Sequence, residues 1–243
     1  MPAMPDSKPI APILVAIPGG TFQMGSDCHR PDERPRRSVE VVSFFAALAP
    51  VTNAELERFV QATRTTRPEF ASESRFTDPA QPAVGISWHD AVAYCAWLNA
   101  ELGGTFRLPT EAEREWSALG GLSDADWPWA APMECHPAFD SIAALDRPHV
   151  PTEACANGYG LRCTAENVHE WCSDWYAKDA YTSAAAGGPA SGTRRVARGG
   201  SWRHATKFTR LTARASLDPT YRYNDFGFRV YADAPPKEPA QWN

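Results

Sequence analysis

The chain has 243 residues, 43% hydrophobic and 22% charged, with a formal net charge of −5. That length buries a substantial core without staples, and the balance excludes disordered, collagen-like and strongly basic chains, so neither nucleic acid nor an anionic membrane surface is an expected partner. Nine Trp, 22 Pro and 16 Gly describe a loop-rich protein tied down by aromatic anchors.

Residues 1–12 read as an N-terminal extension. The apolar run Ile10–Ile17 is broken by Pro12 and lacks a basic leader and a small-residue cleavage site, so it reads as a strand and not a secretory signal. No run reaches the ~20 apolar residues of a membrane span, and a cytoplasmic location is expected. Ile13–Met24 reads strand, turn, strand, with Gly19-Gly20 supplying the positive φ of a tight turn. Ser38–Leu48 alternates and is expected as one strand.

Three capping boxes announce helices. Thr52 with Glu55 opens 53–63, Ser87 with Asp90 opens 88–102, and Thr110 with Glu113 opens 111–119. Gly103-Gly104 and Gly120-Gly121 end the last two. The middle helix puts Ala91, Tyr94, Cys95, Leu98 and Leu102 on one stripe, so Cys95 reads as core filler.

From Asp124 to Gly160 no period is visible, and Pro128, Pro132, Pro137, Pro148 and Pro151 forbid long helices. A second loose loop covers 187–192. Strand signals return at 194–198, 208–215 and 227–231. Residues 13–233 then form the domain, and 234–243 a flexible tail. The last third is locally basic through Arg194, Arg195, Arg198, Arg203, Lys207, Arg210, Arg214, Arg222 and Arg229, as an anion site or as a solvated face.

Six cysteines occur, four of them from Cys135 to Cys172. Free or metal-bound thiols fit a cytosolic protein, and a Cys155/Cys163 or Cys163/Cys172 disulfide fits an exported one. Cys163, His169 and Cys172, interleaved with Glu166 and Glu170, form a soft-metal constellation on paper, although C-x5-H-x2-C matches no standard zinc spacing.

The motifs IPGGTFQMGS, PVTNAELERFV, VGISWHDAVAYCAWL, FRLPTEAEREW, PWA, NGYGL, ENVHEWCSDWY, RVARGGSW and DFGFRVY stand in that order. Over roughly residues 13–232 the chain resembles the formylglycine-generating enzyme (sulfatase-modifying factor) family. The resemblance implies an α+β fold: a single irregular domain with low regular secondary structure, related to C-type lectin-like folds. Members of that family include copper oxidases, iron-dependent sulfoxide synthases and ligand-binding proteins, so the fold alone does not settle function.

In the copper oxidases two cysteines follow the Gly-Gly-Ser turn, and copper(I) prefers such soft thiolates. His204 and Thr209 occupy those positions here, which implies a member without the copper–dithiolate mechanism. ENVHEW resembles a calcium-binding motif and implies Asn167, Val168 and Glu170 as oxygen ligands, or a loop braced without metal. His204 is the leading catalytic candidate, with Ser201 and Thr209 beside it. Arg203 and Arg214 are candidates to clamp a carboxylate, and Trp202 and Trp171 to wall a pocket. Arg214 and Arg229 read equally as buried scaffold.

Three functions remain open on the sequence. The first is an oxidoreductase, with or without a transition metal, acting on a peptide or amino-acid-derived substrate. The second is a lectin-like module whose 202–226 face binds a peptide or small-molecule ligand. The third is a non-catalytic scaffold for a partner protein.

Overall fold

Ten short strands and three helices occur along the residues that the computed structural model describes, which are 8–129, 145–182 and 188–235. Residues 1–7 of the expected extension, 236–243 of the expected tail, Pro132, Cys135, His136 and Pro137 lie outside the described residues. The architecture is α+β. Strands β1 (Leu14–Ile17), β4 (Phe44–Ala47), β10 (Tyr231–Ala232) and β5 (Phe106–Arg107) form one sheet in the order β1-β4-β10-β5. Strands β2 (Gly20–Met24) and β3 (Arg37–Val41) form a ribbon. The third sheet, in the order β8-β7-β6-β9, comprises β6 (His169–Trp175), β7 (Arg195–Arg198), β8 (Arg214–Leu217) and β9 (Phe226–Gly227).

Helices α1 (Asn53–Thr63), α2 (Trp88–Leu102) and α3 (Glu111–Leu119) carry reciprocal capping boxes. In α2 the Ser87 hydroxyl accepts from Asp90 N–H, and the Asp90 carboxylate accepts from Ser87 N–H at 2.9 Å. Each box satisfies amides that the first helical turn leaves without a carbonyl. Gly103 and Gly120 close α2 and α3 in the left-handed region, with φ of 66° and 62°. The α2 stripe is buried except for the half-buried Leu102, and Cys95 lies in the larger apolar core with Tyr94, Leu98 and Phe228.

The first hairpin differs from the sequence expectation. β1 pairs with β4 and β2 with β3, so the segment expected as one strand from Ser38 to Leu48 is split between two sheets. Gly19 serves close approach: a Cβ there would lie 2.8 Å from Val41 O and Ser43 N. The strands expected at 208–215 and 227–231 also break up. A short 3-10 turn occupies Thr206–Phe208 and β8 begins at Arg214. Between β9 and β10 the buried Arg229 turns inward to Glu170.

The basic last third is neither a solvated face nor an open anion site at four of its eight arginines. Arg198, Arg210, Arg214 and Arg229 are buried. Arg210 meets Glu33 through two 2.9 Å bonds, and Arg214 grips Glu111 at 2.7 and 2.9 Å. Arg198 bonds Glu115, and Arg114 and Arg229 share Glu170. Charges in full burial persist only when paired and hydrogen-bonded in this way.

Candidate functional site

The C-terminal strands converge on a groove of about 760 Å³ whose lining includes His169, His204, Asp225, Arg203 and Tyr223. Gly199 and Gly200, with φ of 98° and 66°, turn the chain sharply out of β7. That turn sets Ser201 inward and leaves His204 exposed. The parallel pairing of β6 with β9 brings His169 opposite Phe226, and His169 N–H donates to the Asp225 carbonyl at 2.9 Å. Ser201 Oγ donates to Asp225 Oδ2 at 2.9 Å and lies 3.0 Å from His204 Nδ1, which is itself 3.1 Å from His169 Nε2. Burial pushes the His169 imidazole down to about 3, and the neighbouring His204 adds to that shift. Burial also lowers His204, against the pull of Asp225. Serine sits in the middle of this chain, whereas an acyl-transfer triad places histidine between acid and nucleophile.

The remaining candidates divide between groove and interior. Arg203 is exposed, and its Nη1 donates to Asn224 Oδ1 at 2.8 Å. Trp202 donates Nε1–H to the Asn224 carbonyl and packs on Phe76. Thr209 is buried, with its hydroxyl donating to the Thr206 carbonyl at 2.8 Å. Arg214 reaches the groove wall, while its guanidinium is committed to Glu111 and to the Asp32 and Ala177 carbonyls. Trp171 is fully buried and donates Nε1–H to the Ile86 carbonyl.

Two of the three residues expected for calcium are otherwise engaged. Both Glu170 oxygens accept from guanidiniums, and the Asn167 side chain is bonded to the backbone of His149. Metal-binding capacity rests on other residues. The paper constellation of Cys163, His169 and Cys172 is dispersed: Cys163 and His169 belong to separate clusters, and Cys172 is buried with its Sγ 3.9 Å from the Glu170 carbonyl.

Cys163 joins His149, Cys155 and Glu166 in one buried cluster, with the four ligand atoms within 4.8 Å of one another. Local turn chemistry builds it. Asn157 Oδ1 accepts from the Tyr159 and Leu161 amides, and Ala156 pairs antiparallel with Arg162. Cys163 N–H then donates to the Cys155 carbonyl at 3.0 Å, so the two thiols face each other. His149 lies between them, with Nδ1 3.9 Å from Cys155 Sγ and Nε2 3.9 Å from Cys163 Sγ. Cys163 and Glu166 hold φ of 55° and 130°, conformations that non-glycine residues keep where the surroundings enforce them. Hydrogen bonding from Cys163 lowers the Cys155 thiol, and burial raises Cys163 and Glu166. Burial opposes charge on His149, while Cys155 and Glu166 raise it to about 10. Glu166 Oε1 is buried and stands 3.4 Å from His149 Nε2. Two sulfurs, one imidazole and one carboxylate suit a thiophilic cation.

Asn167 links the two clusters. Its side chain clamps the backbone of His149, and its carbonyl accepts from Trp202 N–H at 3.0 Å.

The family described as the sulfatase-modifying factor enzyme 1-like domain matches residues 2–234. The chain belongs to this family. Pkn1, a serine/threonine-protein kinase of Chlamydia caviae, is 32% identical over 91% of this chain, which spans 38% of that protein's length. The formylglycine-generating enzyme of Thermomonospora curvata is 31% identical over 92% of this chain and 94% of its own. The solved structure of PvdO from Pseudomonas aeruginosa superposes with a TM-score of 0.79 at 27% identity, covering 92% of this chain and 95% of that one.

The expectation of a sulfatase-modifying factor family member without a paired-thiol centre is overturned. His204 and Thr209 carry no thiol after the Gly-Gly-Ser turn, yet Cys155 and Cys163 stand together with His149 and Glu166. His149 and Asp225 were not legible as site residues in the sequence, and Cys155 was legible only as a thiol that could pair with Cys163. One signal was available: the NGYGL turn lies between Cys155 and Cys163. No helix among the described residues is long and apolar enough to cross a membrane.

Proposed function

We propose that this chain is a metal-dependent oxidoreductase of the family, acting on a peptide or amino-acid-derived substrate. A thiophilic ion, copper foremost, is held by Cys155, Cys163, His149 and Glu166. The observation that carries this reading is the convergence of two thiols, an imidazole and a carboxylate in one buried cluster. Thiolate with imidazole selects copper(I) or zinc over hard cations. The name of the Thermomonospora curvata relative, formylglycine-generating enzyme, adds an oxidised amino-acid residue as the class of product.

A bound copper would supply the electron transfer of such an oxidation. The chain's own residues supply the rest. Cys155 is held toward its thiolate, the ligating form. Asn167 fixes the His149 backbone and ties it to Trp202, beside the groove where Ser201, His204 and Arg203 would receive the substrate. The described cysteines are all free, which a reducing cytoplasmic setting would preserve.

Elemental analysis of purified protein, with and without Cys155→Ser and Cys163→Ser, tests this. The expected result is near-stoichiometric copper or zinc in the parent, lost from both variants. Copper-loaded parent is also expected to consume oxygen with a cysteine-containing peptide, and the variants are not. Metal content unchanged in the variants, or a copper-loaded parent inert toward every cysteine peptide offered, would overturn the reading.

A further inference from the structure

We propose that His169, His204 and Asp225 form a second cation site, separate from the thiols, that takes iron(II) or another first-row divalent ion at the floor of the groove. The three ligand atoms lie within 4.8 Å of one another. They come from three segments: β6, the loop after β7, and the residue before β9. Two imidazoles and one carboxylate are the donor set that holds iron(II) with coordination positions left open.

Proton accounting favours a cation here. Ser201 has one hydroxyl hydrogen and gives it to Asp225 Oδ2. It can then only accept from His204 Nδ1, 3.0 Å away. His169 Nε2 faces that same nitrogen at 3.1 Å. A ring nitrogen offers either one hydrogen or one lone pair, so His204 Nδ1 cannot satisfy Ser201 and His169 together. His169 has no relief on its other side, because its Nδ1 is buried without a partner. A cation between the rings accepts both facing lone pairs, and the Asp225 carboxylate supplies charge.

The surroundings suit access. His204 is exposed and the groove opens over it, rimmed by Phe208, Tyr221 and Tyr223. Arg203 Nη1 stands 3.8 Å from Asp225 Oδ1 and is bonded instead to Asn224 at 2.8 Å, so it leaves the carboxylate available. The thiol cluster offers sulfur to soft ions, whereas this one offers nitrogen and oxygen to borderline and harder ones.

Anaerobic titration of the metal-free, reduced protein with cobalt(II) separates the two sites. One equivalent is expected to bring intense near-ultraviolet thiolate bands that Cys155→Ser abolishes. Another is expected to bring only weak visible bands, with affinity lowered at least about tenfold in His204→Ala and in Asp225→Asn while the thiolate bands stay. If the weak-band equivalent is missing, or binds equally in both groove variants, the proposal falls. If thiolate bands never form but the weak-band equivalent is lost in His204→Ala, this proposal stands and the thiol centre is what fails. Should Asp225→Asn not fold, His204→Ala decides alone, because His204 is exposed.

Discussion

Arg114 and Glu170 meet in full burial, with Arg114 Nε 2.8 Å from Glu170 Oε2. Arg229 closes on the other Glu170 oxygen at 2.9 Å. The pair joins α3 to β6 and, through Arg229, to the segment between β9 and β10. Glu170→Ala strands two buried guanidiniums and is expected to cost about 3–5 kcal/mol. Denaturant unfolding of variant and parent measures it. A loss below about 1 kcal/mol would show that the guanidiniums find other partners, since that is the scale of an ordinary single bond.

Gly200 has φ of 66°, and a Cβ there would lie 2.7 Å from Thr209 Cα. Gly200→Ala is expected to lose about 1–3 kcal/mol from backbone strain, with more from the contact, because the neighbouring atom is backbone. Gly103 shares a φ of 66°, but a Cβ there would meet nothing within 4 Å. Gly103→Ala is expected to cost only the left-handed penalty, about 1–2 kcal/mol. Thermal melting of the two variants side by side checks the ranking; equal losses would remove the role assigned to Thr209 packing.

Glu33 supplies the acid-side dependence. Burial opposes its ionisation, but hydrogen bonds from Arg210 and Thr212 and the charge of Arg210 hold its carboxyl below the ordinary 4.5. A depressed folded value contributes stability that is complete above the unfolded value and is lost as pH falls through the folded one. Stability of the parent is therefore expected to fall as pH drops below about 4.5. Glu33→Gln is expected to be less stable at neutral pH and to flatten that slope. Unfolding free energies measured at several pH values compare the two slopes, and identical slopes would remove Glu33 as a source.

Local rules carried the helices. Each capping box fixes its first turn through side chains three residues apart, so 53–63, 88–102 and 111–119 could be read directly. Strand β6 could not, because HEWCSDW shows no polar–apolar alternation. It lies inside its sheet between β7 and β9, and the whole run from His169 to Cys172 is buried. The Pro18-Gly19-Gly20 turn suggested a hairpin, but strand partners are chosen by distant residues. The site followed the same division. Ser201 and His204 are three residues apart and legible together. Asp225 and His169 reach them only through a parallel pairing that closes a long excursion of chain. His149 reaches Cys155 and Cys163 by way of Asn167.

Strand β10 lies between β4 and β5 in the first sheet, although it is the last strand of the described chain. During synthesis β1 and β4 leave the ribosome long before Tyr231 and Ala232, so that sheet stays open along β4 until the final strand is released. Strand β5 reaches β4 only through β10, so the first sheet completes only once Tyr231 and Ala232 have been made, and the domain folds as a single unit.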